Sequence, residues 1–251
     1  SKAKIRIQAS LWSTEGAWRI KEDLMKVAII SDIHGNIYGL RTIISDLPKV
    51  EKIICAGDIT GYYPFINEVI DELRRNNVLA VKGNHDQYLI DDKAPEGARG
   101  EIKNSVKKMK QLISKKNLNY IKSLPDFLSF TIDDKKVLVV HASPWDHLEE
   151  RIYPDYQNFD RFKKIDADVV ILGHTHYPYV KKIGKLTVVN PGSCGQPRDD
   201  NRLSYTIWDT NTNSFENKRL PWDIEGFTKK AKLIGTEDSL FEVFKRTQWF
   251  I

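Results

Sequence analysis

The stretch KVAIISDIHGNIYGL, Lys26 to Leu40, passes from an apolar run through a polar cluster into a helical pattern. KVAIIS (26–31) reads as a buried strand. NIYGLRTIISDL (36–47) places Ile37, Leu40, Ile43, Ile44 and Leu47 at helical spacing, so a helix follows. Between the two, SDIHGN sets Asp32, His34 and Asn36 at the strand's carboxyl end.

This unit recurs. KIICAG (52–57) is a second strand; Asp58 in GDITGYY follows it, and then a helix over 64–76 with Pro64 at a permitted first-turn position. VLAVKG (78–83) is a third strand and runs into GNHD, with Asn84, His85 and Asp86. Beyond Pro125, FLSFTID, the turn DDK and KVLVVH form a hairpin, and ADVVILG, KLTVVN and LSYTIWD are further strands. His141 in HASP and the pair His174 and His176 in GHTH end two of these strands. One helix is expected near 155–165, and a helical tail from Pro221 anchored by Phe241, Val243 and Phe244. A β-α-β-α-β half feeding a strand-rich half predicts an α/β fold built as a two-sheet sandwich. The pattern begins at Met25, so 25–251 reads as a single domain and 1–24 as an N-terminal extension.

Composition bounds the function. The chain has 251 residues, 41% hydrophobic and 29% charged, with no apolar run long enough to span a bilayer. Its first residues lack the continuous apolar core of a secretory signal, and its two cysteines, Cys55 and Cys194, read as buried free thiols. A cytoplasmic protein with no membrane partner is expected. The net charge of +5 is concentrated in 101–125, which holds seven lysines and one glutamate. Ile102, Val106, Met109, Leu112 and Ile113 recur at helical spacing there, so the lysines form a solvated helix face, with recruitment of a polyanionic substrate as the second reading. A nucleic-acid partner is disfavoured, because no additional domain is present to grip a duplex.

Five of the six histidines belong to the strand-end clusters; His147 is left over. Ligands of open α/β sheets bind beyond the carboxyl ends of the strands, so the clusters should converge. In extended chain, residues i and i+2 point the same way, which sends Asp32 with His34, and His174 with His176, toward a common site. Gly35, Gly57, Gly83 and Gly173 are expected to let the backbone turn tightly there. Carboxylate, amide oxygen and imidazole without thiolate suit manganese, iron or zinc in a two-metal centre. Each fragment alone also reads as a turn or a cap. Five in this order, each after a strand, are a different observation.

With these motifs in order, D-x-H, G-D, G-N-H-D, a lone histidine after a strand and G-H-x-H, the chain resembles the calcineurin-like metallophosphoesterase family over about residues 26–208. GDITGYYPFINEVIDELR, HASPWD and GHTHYPYVKKIGKLTVVNPGSCGQPRD are similar to its small single-domain prokaryotic phosphodiesterases. The resemblance implies an αββα sandwich and hydrolysis of small phosphodiesters or phosphomonoesters by a metal-bridging hydroxide. It implies one divalent ion on Asp32, His34, Asp58 and His176, and a second on Asp58, Asn84, His141 and His174. Manganese comes first, with iron, zinc or nickel as alternatives. His85 is cast as the acid that protonates the leaving group, Asp86 as the residue that orients its imidazole, and Asn84 and His85 as substrate contacts. The arginine that follows G-D in the protein-phosphatase branch is missing from GDITGYY; Arg198 is the candidate substitute, or else a brace for its own loop. Tyr62 and Tyr63 line the entrance or pack beneath it. A catalytically silent scaffold of the same fold and a nucleotide or nucleic-acid hydrolase are the alternatives. Homo-oligomerisation stays open.

Overall fold

The computed structural model describes residues 25–246; the expected extension 1–24 lies outside the described residues. Strands β1 (Lys26–Ile30), β2 (Lys52–Cys55) and β3 (Leu79–Ala80) are parallel, linked by helices α1 (Ile37–Asp46) and α2 (Ile66–Arg75). After β3 come helices α3 (Asn84–Asp91), α4 (Gly100–Leu112) and α5 (Lys115–Ser123). The hairpin β4 (Phe127–Ile132) and β5 (Lys135–Val140) then leads to β6 (Val169–Ile171), β7 (Pro178–Ile183), β8 (Leu186–Pro191), β9 (Leu203–Asp209), β10 (Ser214–Leu220) and α6 (Ile224–Leu233). Short 3-10 segments cover Phe159–Lys164 and Asp238–Lys245, where the sequence predicts helix.

Two five-stranded sheets result, in the orders β10-β9-β1-β2-β3 and β4-β5-β6-β8-β7. Alternation along β1 explains how they stack. Val27 and Ile29 enter the inter-sheet core with Ile54, Val139, Ile171 and Trp208, while Ala28 and Ile30 face the layer packed with α1, α2 and Ile121 of α5. On the second sheet, Val170 and Leu172 point outward under Ile152, Phe159 and Phe162, so the 3-10 segment and its loops close that side. The two-sheet α/β sandwich is the architecture the strand pattern predicts.

Three features differ from the sequence reading. The lysine-rich stretch is two helices, parted at Ser114, whose hydroxyl caps α5 by accepting from the Asn117 N–H. Strands β7 and β10 were not anticipated: both lie at sheet edges, where half-exposed residues and charges blur the two-residue period. Helix α3 begins at the GNHD motif itself, which puts Asn84 and His85 on its first turn.

Glu72 ties α1 to α2, accepting from Arg41 and Arg75 with its side chain only 10% exposed. Burial alone would raise its pKa, but the bonds from Arg75 and Arg41 outweigh burial and hold it below the ordinary glutamate range. A depressed folded-state pKa gives stability that is present above the ordinary range and lost as pH falls through the folded value. The melting temperature of wild type should therefore exceed that of Glu72→Gln at about pH 6, with the gap closing toward about pH 3. A gap independent of pH would refute this.

Candidate metal centre

The motif residues meet where the carboxyl ends of β1, β2 and β3 face those of β5 and β6. Asp32, His34, Asp58, His141 and His176 are at most 1% exposed, and Asn84, His85 and His174 are 4% exposed. Three groups bring their ligand atoms within 4.8 Å of one another: Asp32, His34 and His176; Asp58, His141 and His174; and His34, Asp58 and His85.

The expectation that extended backbone aims these side chains is corrected by the torsions. Asp32, His34, Asp58, His174 and His176 all have φ between 50° and 66°. Each is a left-handed residue in a tight turn, and Thr175 N–H closes such a turn on the Gly173 carbonyl at 2.7 Å. Aspartate and histidine tolerate this region better than branched residues do. The glycines divide by role. Gly35 and Gly57 take positive φ, as expected, whereas Gly83 and Gly173 are needed for close approach. A Cβ at Gly83 would lie 2.1 Å from Asp58 Oδ1, and one at Gly173 would lie 2.1 Å from Ser31 Oγ and 2.9 Å from Asp32 Oδ2.

Hydrogen bonds fix which ring nitrogen faces inward. His34 Nδ1–H donates to the Thr60 carbonyl, His176 Nδ1–H to Gln196, and His141 Nδ1–H to Ala56, at 3.2, 2.5 and 2.7 Å. His174 is the reverse, with Nε2–H donating to the Glu149 carbonyl at 3.2 Å. Burial holds His34 and His176 well below the ordinary histidine range, so both rings are neutral. Their Nε2 lone pairs nevertheless face each other at 3.1 Å. His176 Nε2 is 3.3 Å from Asp32 Oδ1, and His34 Nε2 is 3.6 Å from Asp58 Oδ2. On the other side, Asn84 Oδ1 lies 3.1 Å from His141 Nε2 and 3.2 Å from His174 Nδ1, and His141 Nε2 lies 3.4 Å from Asp58 Oδ2.

Acceptors packed this way repel unless a cation or a proton lies among them. At metal–ligand lengths of about 2.0–2.2 Å, adjacent ligand atoms around one ion sit roughly 3.0–3.4 Å apart, close to the spacings found here. Without an ion, the same excess of acceptors and negative charge acts on the protons. Burial pushes Asp32 up to about 7 against the pull of His141, and Asp58 lifts His141 to about 9 against burial. The donor set and its spacing fit divalent cations.

His85 stands beside this cluster. Its backbone N–H donates to Asp58 Oδ1 at 2.9 Å, and its buried Nδ1 has no hydrogen-bond partner. Asp86 does not orient it, which corrects the sequence expectation. The Asp86 carboxylate turns back to accept from the N–H groups of Ile59, Thr60 and Gly83 and from the Thr60 hydroxyl. It caps the amino end of α3 and clamps the Asp58 loop.

Arg198 donates to Gln196 Oε1 at 3.2 Å and lies 3.4 Å from the Tyr62 hydroxyl. It also lines the small cavity above Asp58, Asn84, His85, His174 and His176, whose volume is about 120 Å³. The two tyrosines separate: Tyr62 lines this cavity with its ring 4.6 Å from His85, whereas Tyr63 is buried against Phe227, Phe241 and Phe244. From α4 the cavity receives Ile102, not a lysine. His147 packs on Phe127, away from the site.

Several functional partners were not legible in the sequence. Asn190 donates to the Gly173 carbonyl and Thr175 hydroxyl, and Ser193 donates to the Asp32 carbonyl, so NPGSCG clasps both ligand loops. Asn84 Nδ2 donates to Tyr88 Oη, which donates to Glu149 Oε1 at 2.5 Å. That relay fixes the amide so that its oxygen faces the two histidines. Only the proximity of NPGS to GHTH in the sequence hinted at the clasp. Tyr88→Phe should weaken divalent-metal affinity about 10–100-fold without unfolding the chain, as measured by metal titration and thermal melting. Unchanged affinity would show that the relay is idle.

The profile of the calcineurin-like phosphoesterase superfamily domain matches residues 25–213. An uncharacterised protein of Methanocaldococcus jannaschii is 35% identical over 219 residues, covering 79% of this chain and 88% of the relative. A phosphodiesterase of the same archaeon is 30% identical over 172 residues, covering 68% and 84%. The crystal structure of a metallophosphoesterase from Sphaerobacter thermophilus superposes with a TM-score of 0.78 at 26% identity, covering 89% of this chain and 99% of that one. With its candidate ligands gathered at the strand ends of a two-sheet sandwich, the chain belongs to the calcineurin-like phosphoesterase superfamily.

Proposed function

We propose that the chain is a metal-dependent phosphoesterase that hydrolyses small phosphodiesters or phosphomonoesters at a centre of two divalent ions. The observation that carries this is the convergence of acceptors, in which neutral His34 and His176 face each other at 3.1 Å and Asn84 Oδ1 lies 3.1 Å from His141 Nε2 and 3.2 Å from His174 Nδ1. Asp32, His34, Asp58 and His176 would hold one ion and Asp58, Asn84, His141 and His174 the other, with Asp58 shared. Manganese is the first expectation, and iron, zinc or nickel also suit the nitrogen and oxygen donors. Ions bound there supply charge stabilisation for phosphoryl transfer and a water acidified near neutral pH.

The protein's own groups do the rest. A cavity of about 120 Å³ admits a phosphate group and little more, which restricts the reaction to esters whose remainder extends outward. His85 reaches this cavity from the first turn of α3, where it is placed to protonate the departing oxygen. Burial lowers it to about 4, so it is neutral in the free site, and an arriving phosphate is the anionic neighbour that raises it. Arg198, in the same wall, is placed to contact phosphate oxygens. Among the described residues no helix is long and apolar enough to cross a membrane, and buried free Cys55 and Cys194 suit a reducing compartment, so cytoplasmic action on a small soluble ester is the proposed setting.

Manganese-loaded protein should hydrolyse bis(p-nitrophenyl) phosphate, and chelation should abolish turnover that added manganese restores. His85→Ala should lower kcat about 10²–10⁴-fold while metal content stays unchanged. No turnover with any divalent ion would establish the silent-scaffold alternative instead.

A further inference from the structure

A second, larger chamber of about 460 Å³ adjoins the metal-site cavity, and Tyr62, Ile102, Arg151 and Arg198 line both. Its wall gathers four arginines from distant parts of the chain: Arg99 before α4, Arg151 in the loop after β5, Arg198 after NPGSCGQ, and Arg246 after the last 3-10 segment. Among the described residues none of these four forms an ion pair, whereas Arg41, Arg75, Arg161, Arg202 and Arg219 all do, and Arg74 lies over the Tyr120 ring instead. Arg198 and Arg246 make hydrogen bonds to neutral oxygens only, and these leave their charge uncompensated. Two glutamates share the wall, Glu101 and Glu242, and Glu242 is already paired with Lys245 at 2.6 Å. The surplus is positive.

Unpaired guanidinium groups brought together at a concave surface repel one another, and an anion with several oxygens relieves that repulsion through forked hydrogen bonds. The arrangement also has direction. Arg151 and Arg198 belong to both chambers, so guanidinium groups lead from the inner cavity, where Asp58 and Glu149 also line the wall, outward to Arg99 and Arg246. We infer that the outer chamber binds a further phosphate of the substrate, so that the preferred ester carries phosphate charge on its non-reacting part. A polyphosphate chain running from the inner chamber to the outer one meets these guanidinium groups along its length. This selection of substrate rests on the phosphoesterase reading, but the binding it requires does not depend on turnover.

The test uses manganese-loaded protein at fixed free metal. Calorimetry measures the affinities of adenosine monophosphate and of the methylene-bridged analogue of adenosine triphosphate, in wild type and in Arg99→Gln/Arg246→Gln. These two arginines line only the outer chamber and are exposed, so the double variant should keep its melting temperature and its rate on bis(p-nitrophenyl) phosphate. The affinity gain from one phosphate to three should be about tenfold greater in wild type than in the variant, as expected for losing charge-assisted hydrogen bonds. Phosphate contacts with the metal are common to both proteins, so only the difference between them counts. Equal gains in the two proteins would overturn the inference, even if bis(p-nitrophenyl) phosphate is hydrolysed normally. A larger gain in wild type, with no turnover of any ester, would support the anion site and sink the hydrolase reading instead.

Discussion

Two neutral imidazoles, His34 and His176, meet nitrogen to nitrogen at 3.1 Å with lone pairs opposed. Such a contact costs energy in a buried site, and the fold maintains it from behind. The Thr60 and Gln196 carbonyls take the protons of the far nitrogens and thereby fix both tautomers. Thr60 is in turn held by Asp86, and Gln196 by the Ser193 hydroxyl. Asp86 thus acts on this side of the site through backbone, although its carboxylate makes no hydrogen bond to the His85 ring. The same logic runs through Tyr88 and Glu149 to Asn84 on the other side. A cluster in which acceptors outnumber protons in this way fits a cation.

The backbone contributes as well. Five of the seven expected ligands occupy left-handed torsions, a conformation that costs non-glycine residues free energy and persists only where surroundings enforce it. Here the enforcement comes from rigid strand ends and from the NPGSCG clasp, which bonds to both the Asp32 loop and the His174 turn. Folding free energy from the inter-sheet core is thereby coupled to the geometry of a site at its edge. Pairs such as Asp32 and His34 converge because the chain turns sharply between them, not because a strand runs straight through.

Much of this was legible from residue order. Strand-end polar clusters located the site because parallel strands deliver their carboxyl ends to one edge, and the histidine spacing named its members. What escaped was whatever depends on contacts distant in sequence. Edge strands β7 and β10 hide their period because one side is wet. Asp86 looked like a partner for its neighbour His85, yet Thr60, 26 residues away, took its carboxylate. The roles of Tyr88, Glu149 and Asn190 exist only through tertiary geometry, as does the gathering of four unpaired arginines. The lysines that dominate the local charge line neither chamber, so net charge was a poor guide to where an anion would bind.

The account turns on whether cations occupy the space between these acceptors. Anomalous diffraction from crystals equilibrated with manganese tests that directly. Two peaks should appear about 3.5–4 Å apart, one between His34 and His176 and one among Asn84, His141 and His174, with Asp58 between them. No anomalous density at either position, with the His34 and His176 rings turned away from each other, would contradict it.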